Sequence, residues 1–204
     1  MIHIVDYGLG NIQAFVHTYK RLDLDVMVAR HEKDLAGAAK IILPGVGSFD
    51  HAMELLNLSG MRGALERLVQ ELRIPVLGVC VGMQILSSGS DEGQLPGLGW
   101  VPGRVRALAS LAGWGGLPLP HMGWNDVSGR DVHGLFKNLE RKCQFYFLHS
   151  FALECAEQTQ VAATTTYGVE FCCAVKHGNV YGVQFHPEKS HESGMRLLQN
   201  FAEL

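Results

Sequence analysis

Cys80, His186 and Glu188 have the residue types of a nucleophilic centre. Cys80 stands in Gly78-Val-Cys-Val-Gly82, after the apolar run Val76–Val79 and before Gly82-Met-Gln-Ile-Leu86, which has helix-forming content. A tight strand-to-helix turn with glycine on both sides is the setting of a nucleophile elbow, because the adjoining strand and helix leave no room for a neighbouring Cβ. A helix N-terminus there also favours the thiolate. A lone buried cysteine is more often a small apolar core residue; the paired glycines favour the nucleophile. His186 and Glu188 lie two residues apart, just past a stretch that reads as a strand, Val180–Phe185. Cysteine, histidine and glutamate together fit a triad in which the thiolate attacks, imidazole moves protons and the carboxylate fixes the imidazole. The ten histidines form no H-E-x-x-H and no cysteine/histidine cluster with ligand spacing, so metal binding is set aside.

The elements that must position these groups follow from periodicity. Ile2–Val5, Val26–Ala29, Ile41–Leu43 and Val76–Val79 read as short buried strands. Helices lie between them. Ile12, Phe15, Val16 and Tyr19 form one stripe, with Asn11 as a plausible N-cap. Phe49, Ala52, Met53 and Leu56 form a second after Ser48, a candidate cap, and Met61, Leu65, Leu68 and Leu72 form a third. This alternation predicts a doubly wound α/β sheet with its ligands beyond the carboxyl ends of the strands, where both Cys80 and Pro44-Gly-Val-Gly47 fall. The loop glycines leave backbone N–H groups able to turn toward a developing oxyanion. Beyond Gly89 the chain reads as mostly β, with a short apolar piece at Val101–Leu108, strands in Phe145–Leu148, Val161–Thr166, Phe171–Val175 and Val180–Phe185 and a hairpin turn at His177-Gly-Asn179. A last helix follows Ser190, with Met195, Leu198, Phe201 and Ala202 on its buried side.

Composition narrows the classes. The 204 residues, 47% of them hydrophobic, predict one α/β domain over 1–204. A formal charge of -3 and a charged fraction of 18% give no basic stripe for nucleic acid. Five cysteines, an odd number, do not make a secreted disulfide framework, and a reducing cytoplasm suits them. The sequence has no signal peptide, no membrane span and no phosphate-binding P-loop.

Gly78-Val-Cys-Val-Gly-Met-Gln84 and Gln184-Phe-His-Pro-Glu188 resemble the motifs of the class I (triad) glutamine amidotransferases. Five further segments, Asp6–Asn11, Pro44–Phe49, Leu119–Asn125, Phe145–Ser150 and His186–Ser190, resemble the glutaminase subunits of imidazole glycerol phosphate synthases in particular. The resemblance implies the family's three-layer fold, with a mostly parallel central sheet and a β-rich second half. It also implies hydrolysis of L-glutamine through a thioester on Cys80, with no cofactor and with His186 as general base and acid and Glu188 as its orienter. On the same basis the amides of Val81 and, after rearrangement, Val46, with Gly47 beside them, form the oxyanion hole, and Gln84, Glu92, His149, Ser150 and Phe151 line the glutamine pocket. Ammonia would pass to a (β/α)8-barrel cyclase subunit in a heterodimer for histidine biosynthesis, across an interface of Asn11, His121, Met122, Trp124, Asn125, Tyr146 and Lys189. Two residues depart from the family pattern, Val81 where leucine is more frequent and Phe151 where tyrosine is common. Two alternatives stay open: supply of ammonia to a paralogous synthase that amidates surface sugars, and a non-catalytic regulatory subunit on the same fold.

Overall fold

The computed structural model describes residues 1–131, 134–140 and 142–204. Its parallel half is built from β1 (Ile2–Val5), β2 (Val26–Ala29), β3 (Lys40–Gly45) and β4 (Val76–Cys80), with helices α1 (Ile12–Arg21), α2 (Phe49–Leu58) and α3 (Arg62–Glu66) between them. A one-turn helix, α4 (Val81–Gln84), follows β4. Then come β5 (Gly103–Ala107), β6 (His121–Gly129), β7 (Lys142–His149), β8 (Phe151–Cys155), β9 (Val161–Tyr167), β10 (Val169–His177), β11 (Val180–Val183) and α5 (His191–Glu203). One nine-stranded sheet runs β2-β1-β3-β4-β11-β10-β9-β6-β7, and β5 pairs with β8 in a second small sheet.

The large sheet is parallel from β2 through β11 and antiparallel beyond. Its strand order steps in opposite directions from β1 to β2 and from β3 to β4, so right-handed crossovers place α1 and the α2–α3 pair on opposite faces. α5 joins α1, and the buried Tyr19 hydroxyl donates to the Leu198 carbonyl at 3.2 Å. β1, β3 and β4 are apolar, apart from His3 and the first residue of β3, Lys40, because helices cover both sides. The two-residue turn Gly178-Asn179 between β10 and β11 follows from the glycine, whose φ is +60°, and from the pairing of His177 with Val180.

Several expectations need correction. β3 runs two residues further than its apolar core, through Pro44 and Gly45, which pair with Val79 and Cys80. A proline is tolerated there because β1 pairs with β3 only as far as Ile42, so no strand on that side needs the missing N–H. The Tyr7 hydroxyl donates to the Pro44 carbonyl at 2.7 Å and fixes the strand end. Ser48 occupies the N-cap of α2 without making a side-chain cap bond; the Glu92 carboxylate accepts from Phe49 N–H at 2.9 Å instead. α3 continues into a π turn over Arg67–Glu71. The wider turn rotates the stripe, so Val69 is buried and Leu72 is 59% exposed. On α5, Leu197 and Leu198 are buried, while Met195 is half-buried. β6 and β8 are strands that the apolar patterning does not mark. β6 carries Gly123 at φ +126° and several polar residues.

Burial separates the two leucines of the third stripe. Leu65→Ala is expected to cost about 2–5 kcal/mol of unfolding free energy in urea titrations, whereas Leu72→Ala costs less than about 0.5 kcal/mol. Equal losses would contradict the rotated stripe.

Candidate active site

Three adjacent parallel strands deliver the chemistry to one edge of the sheet. Gly45 pairs with Cys80, and Val79 with Val183. The residues that follow β3, β4 and β11 therefore emerge side by side, bringing Val46, Cys80 and Gln184-Phe-His186 together. Cys80 holds φ +56° and ψ −114°, a backbone that a residue with a Cβ adopts only when its surroundings enforce it. They do so by close contact. A Cβ on Gly82 would overlap the Leu43 carbonyl, and one on Gly78 would come within 2.6 Å of the Gly82 carbonyl oxygen. The strand-to-helix elbow thus has the geometry that the paired glycines imply, but α4 is a single turn and its dipole contributes little.

His186 Nδ1 lies 2.9 Å from Glu188 Oε1, and both side chains are almost completely buried. The carboxylate accepts the Nδ1 proton, which leaves Nε2 as the basic nitrogen. Burial disfavours the charged imidazole, yet the contacts with Cys80 and Glu188 outweigh it and hold the His186 pKa up at about 10. Glu188 Oε2 is buried without a hydrogen-bond partner among the described residues. The carboxylate therefore depends on the imidazolium for compensation.

A cavity of about 290 Å³ opens beside the thiol, at the small end of the about 300–1,000 Å³ common for ligand pockets. It is lined by Cys80 and His186, by Val46, Gly47 and Val81, and by Gln84, Glu92, His149, Ser150 and Phe151. Pro120, Leu148 and Lys189 also line it. A larger cavity of about 620 Å³, between β7 and α5, holds none of the triad.

The family model "Glutamine amidotransferase class-I" matches residues 3–204. The chain belongs to the class I glutamine amidotransferases. It is 63% identical over 204 residues, all of both chains, to "Imidazole glycerol phosphate synthase subunit HisH" of Bdellovibrio bacteriovorus. It is 48% identical, again over the full length of both, to the protein of the same name from Leptospira interrogans. Among solved structures, a "Crystal structure of glutamine amidotransferase" superposes with a TM-score of 0.76 at 20% identity, covering 99% of this chain and 97% of that one. "Structure of PurLQS from Thermotoga maritima" gives a TM-score of 0.72 at 19% identity, covering 99% and 97%. At such identities the structures speak for the fold.

In this amidotransferase the residues assigned to an interface divide. Met122 and Trp124 are 65% and 46% exposed. Trp124 is therefore no core residue; its ring stacks on His191 at 5.0 Å. Asn11 and Lys189 are exposed, and Asn125 and Tyr146 are half-buried. His121 is buried and points inward, which corrects its assignment to the surface. Its ring is sandwiched between Phe147 and Tyr167, with centroids at 4.7 and 4.1 Å.

His121 belongs to a chain of hydrogen bonds whose tautomers are fixed by its end. The Phe151 carbonyl can only accept, so His149 Nδ1 donates to it at 2.8 Å. His149 Nε2 then accepts from His121 Nδ1 at 2.9 Å, and His121 Nε2 accepts from Asn125 Nδ2 at 3.2 Å. Both imidazoles are neutral in this arrangement. Burial pushes the pKa of His149 down to about 3 and that of His121 down to about 4. A folded pKa below the unfolded value of 6.5 means that the stability these groups contribute is present above that pH and is lost as the pH falls through the folded values. Unfolding free energy is expected to drop below pH 6.5, by up to about 1.4 kcal/mol per pH unit for each histidine. His121→Phe should flatten that acid limb in denaturation series across pH, and an unchanged slope would refute the neutral pair.

Proposed function

We propose that this chain is the glutaminase subunit of an imidazole glycerol phosphate synthase, hydrolysing L-glutamine to glutamate and ammonia for histidine biosynthesis in the cytoplasm. The single observation that carries the reading is the elbow thiol beside a buried His186–Glu188 pair, in a chain whose full length matches subunits of that name. Residues 1–204 act as one amidotransferase unit. No helix among the described residues is long and apolar enough to cross a membrane.

The chemistry follows from the geometry. Cys80 Sγ attacks the glutamine carboxamide carbon while His186 carries the thiol proton. The resulting oxyanion is met by the Val81 and Val46 amides, with Gly47 completing the loop; these residues line the cavity that holds the thiol. His186 then protonates the leaving nitrogen, so ammonia departs and a glutamyl thioester remains. Water deprotonated by His186 cleaves the thioester, and glutamate and the free thiol are regenerated. Ser150, Phe151, Gln84, Glu92 and His149 shape the pocket around the amino acid.

A partner explains the surface beside the cavity. Met122 pairs across β6 and β7 with Leu148, and Trp124 with Tyr146. Leu148 and Val46 are 40% and 39% exposed and also line the cavity. An apolar stripe that runs into a site releasing ammonia suits a cyclase subunit, a (β/α)8 barrel in a heterodimer, that receives the ammonia without its loss to solvent. Asn11, Asn125 and Lys189 supply polar contacts around it.

Two measurements test the reading. Cys80→Ala is expected to abolish glutamine-dependent synthesis by the mixed subunits, yet leave the cyclase reaction with added ammonium salts intact. Retained glutaminase activity would sink the assignment. Trp124→Ala should weaken subunit association by about tenfold or more while the isolated chain still unfolds cooperatively. Unchanged affinity in a titration with the cyclase would remove Trp124 from the interface.

A further inference from the structure

Gln184 is fully buried and follows β11, which pairs with β4 in a register that sets Val183 beside Val79. Its side-chain Nε2 lies 3.8 Å from Cys80 Sγ. Which amide atom faces the sulfur is decided by a chain of partners. Gln84 reaches the Phe151 carbonyl at 3.2 Å, and that oxygen can only accept, so the Gln84 atom there is its NH₂ group. The same nitrogen lies 3.1 Å from the Gln184 amide. The Gln184 atom facing it must be the oxygen, because a flipped amide would set two donors against each other. Gln184 therefore presents N–H to the sulfur.

A second donor beside the His186 imidazole has a use at this place. Cys80 is buried, so ionising it removes charge from water, and the single turn of α4 supplies little dipole. Besides the His186 imidazole, its remaining polar contact, the Leu148 carbonyl at 3.9 Å, accepts from the thiol and offers nothing to the thiolate.

We propose that Gln184 is a further catalytic residue of this reaction, donating its side-chain N–H to Cys80 Sγ and stabilising the thiolate that attacks the carboxamide. Gln84 acts through it as a positioning residue, since both hydrogens of its amide are committed to Phe151 and Gln184. The proposal rests on Cys80 being the nucleophile.

The test is the pH profile of Cys80 alkylation by iodoacetamide in the full chain, with the adduct located by mass spectrometry. A hydrogen bond to a charged acceptor corresponds to about one pH unit or more of pKa. In Gln184→Met the midpoint of the profile is expected to rise by about one unit, with about tenfold slower labelling on the acid side, while the melting transition stays cooperative. Gln184→Glu keeps the acceptor for Gln84 and sets a carboxylate against the sulfur, so its midpoint should rise further. If the methionine variant does not fold, the glutamate variant decides by the same shift. A profile unchanged from the parent in a folded variant overturns the proposal. Failure of the nucleophile assignment looks different: the parent chain itself would carry its adduct on another cysteine.

Discussion

The fold is arranged around one strained backbone. Cys80 at φ +56° sits where a side chain costs about 1–3 kcal/mol, and it stays there because two strands, β3 and β4, and a short helix meet without intervening side chains. Gly45, Gly78 and Gly82 make that contact possible; a Cβ on Gly45 would meet the Gly82 amide nitrogen, just as one on Gly82 would meet the Leu43 carbonyl. Since β3 and β11 flank β4 in register, the elbow also decides what stands beside the sulfur. On one side is the Val46–Gly47 loop, and on the other the segment bearing Gln184 and His186.

Buried polar groups then make the site rigid. Two donors, from His149 and Gln84, converge on the Phe151 carbonyl and use both of its lone pairs. One branch continues through His121 to Asn125 on β6, and the other through Gln184 to the nucleophile. Low local dielectric strengthens each bond and makes any vacancy costly. The side chain at position 151 does not enter this function, because the Phe151 carbonyl carries it.

Glu92 shows a residue serving two ends. Its carboxylate caps α2 through Phe49 N–H and also lines the cavity. The cap secures the helix that follows the Val46–Gly47 loop, so the far end of that loop is held by a group within the pocket. Gly47 at φ +90° has open space around a hypothetical Cβ, which makes its requirement for glycine one of backbone conformation and not of crowding.

The sequence by itself determined the parallel strands and α1 and α2, because their apolar residues recur with the period of the element that buries them. It also determined the elbow, whose glycines and cysteine are adjacent in the chain, and the His186–Glu188 pair, whose members are two residues apart. Only the tertiary structure decided the rest. The π turn moved burial from Leu72 to Val69 through a change in hydrogen bonding that periodicity does not encode. Ser48 lost its capping role to Glu92, 43 residues beyond Phe49. His121, read as a surface residue, turned inward because β6 and β7 set its ring between Phe147 and Tyr167. Gln184 stood within a recognised motif, but its role depends on Gln84, 100 residues away, and on the strand pairing that sets it beside Cys80. Contacts between neighbours in the chain leave a local pattern in residue types; contacts made by strand register across the sheet leave none.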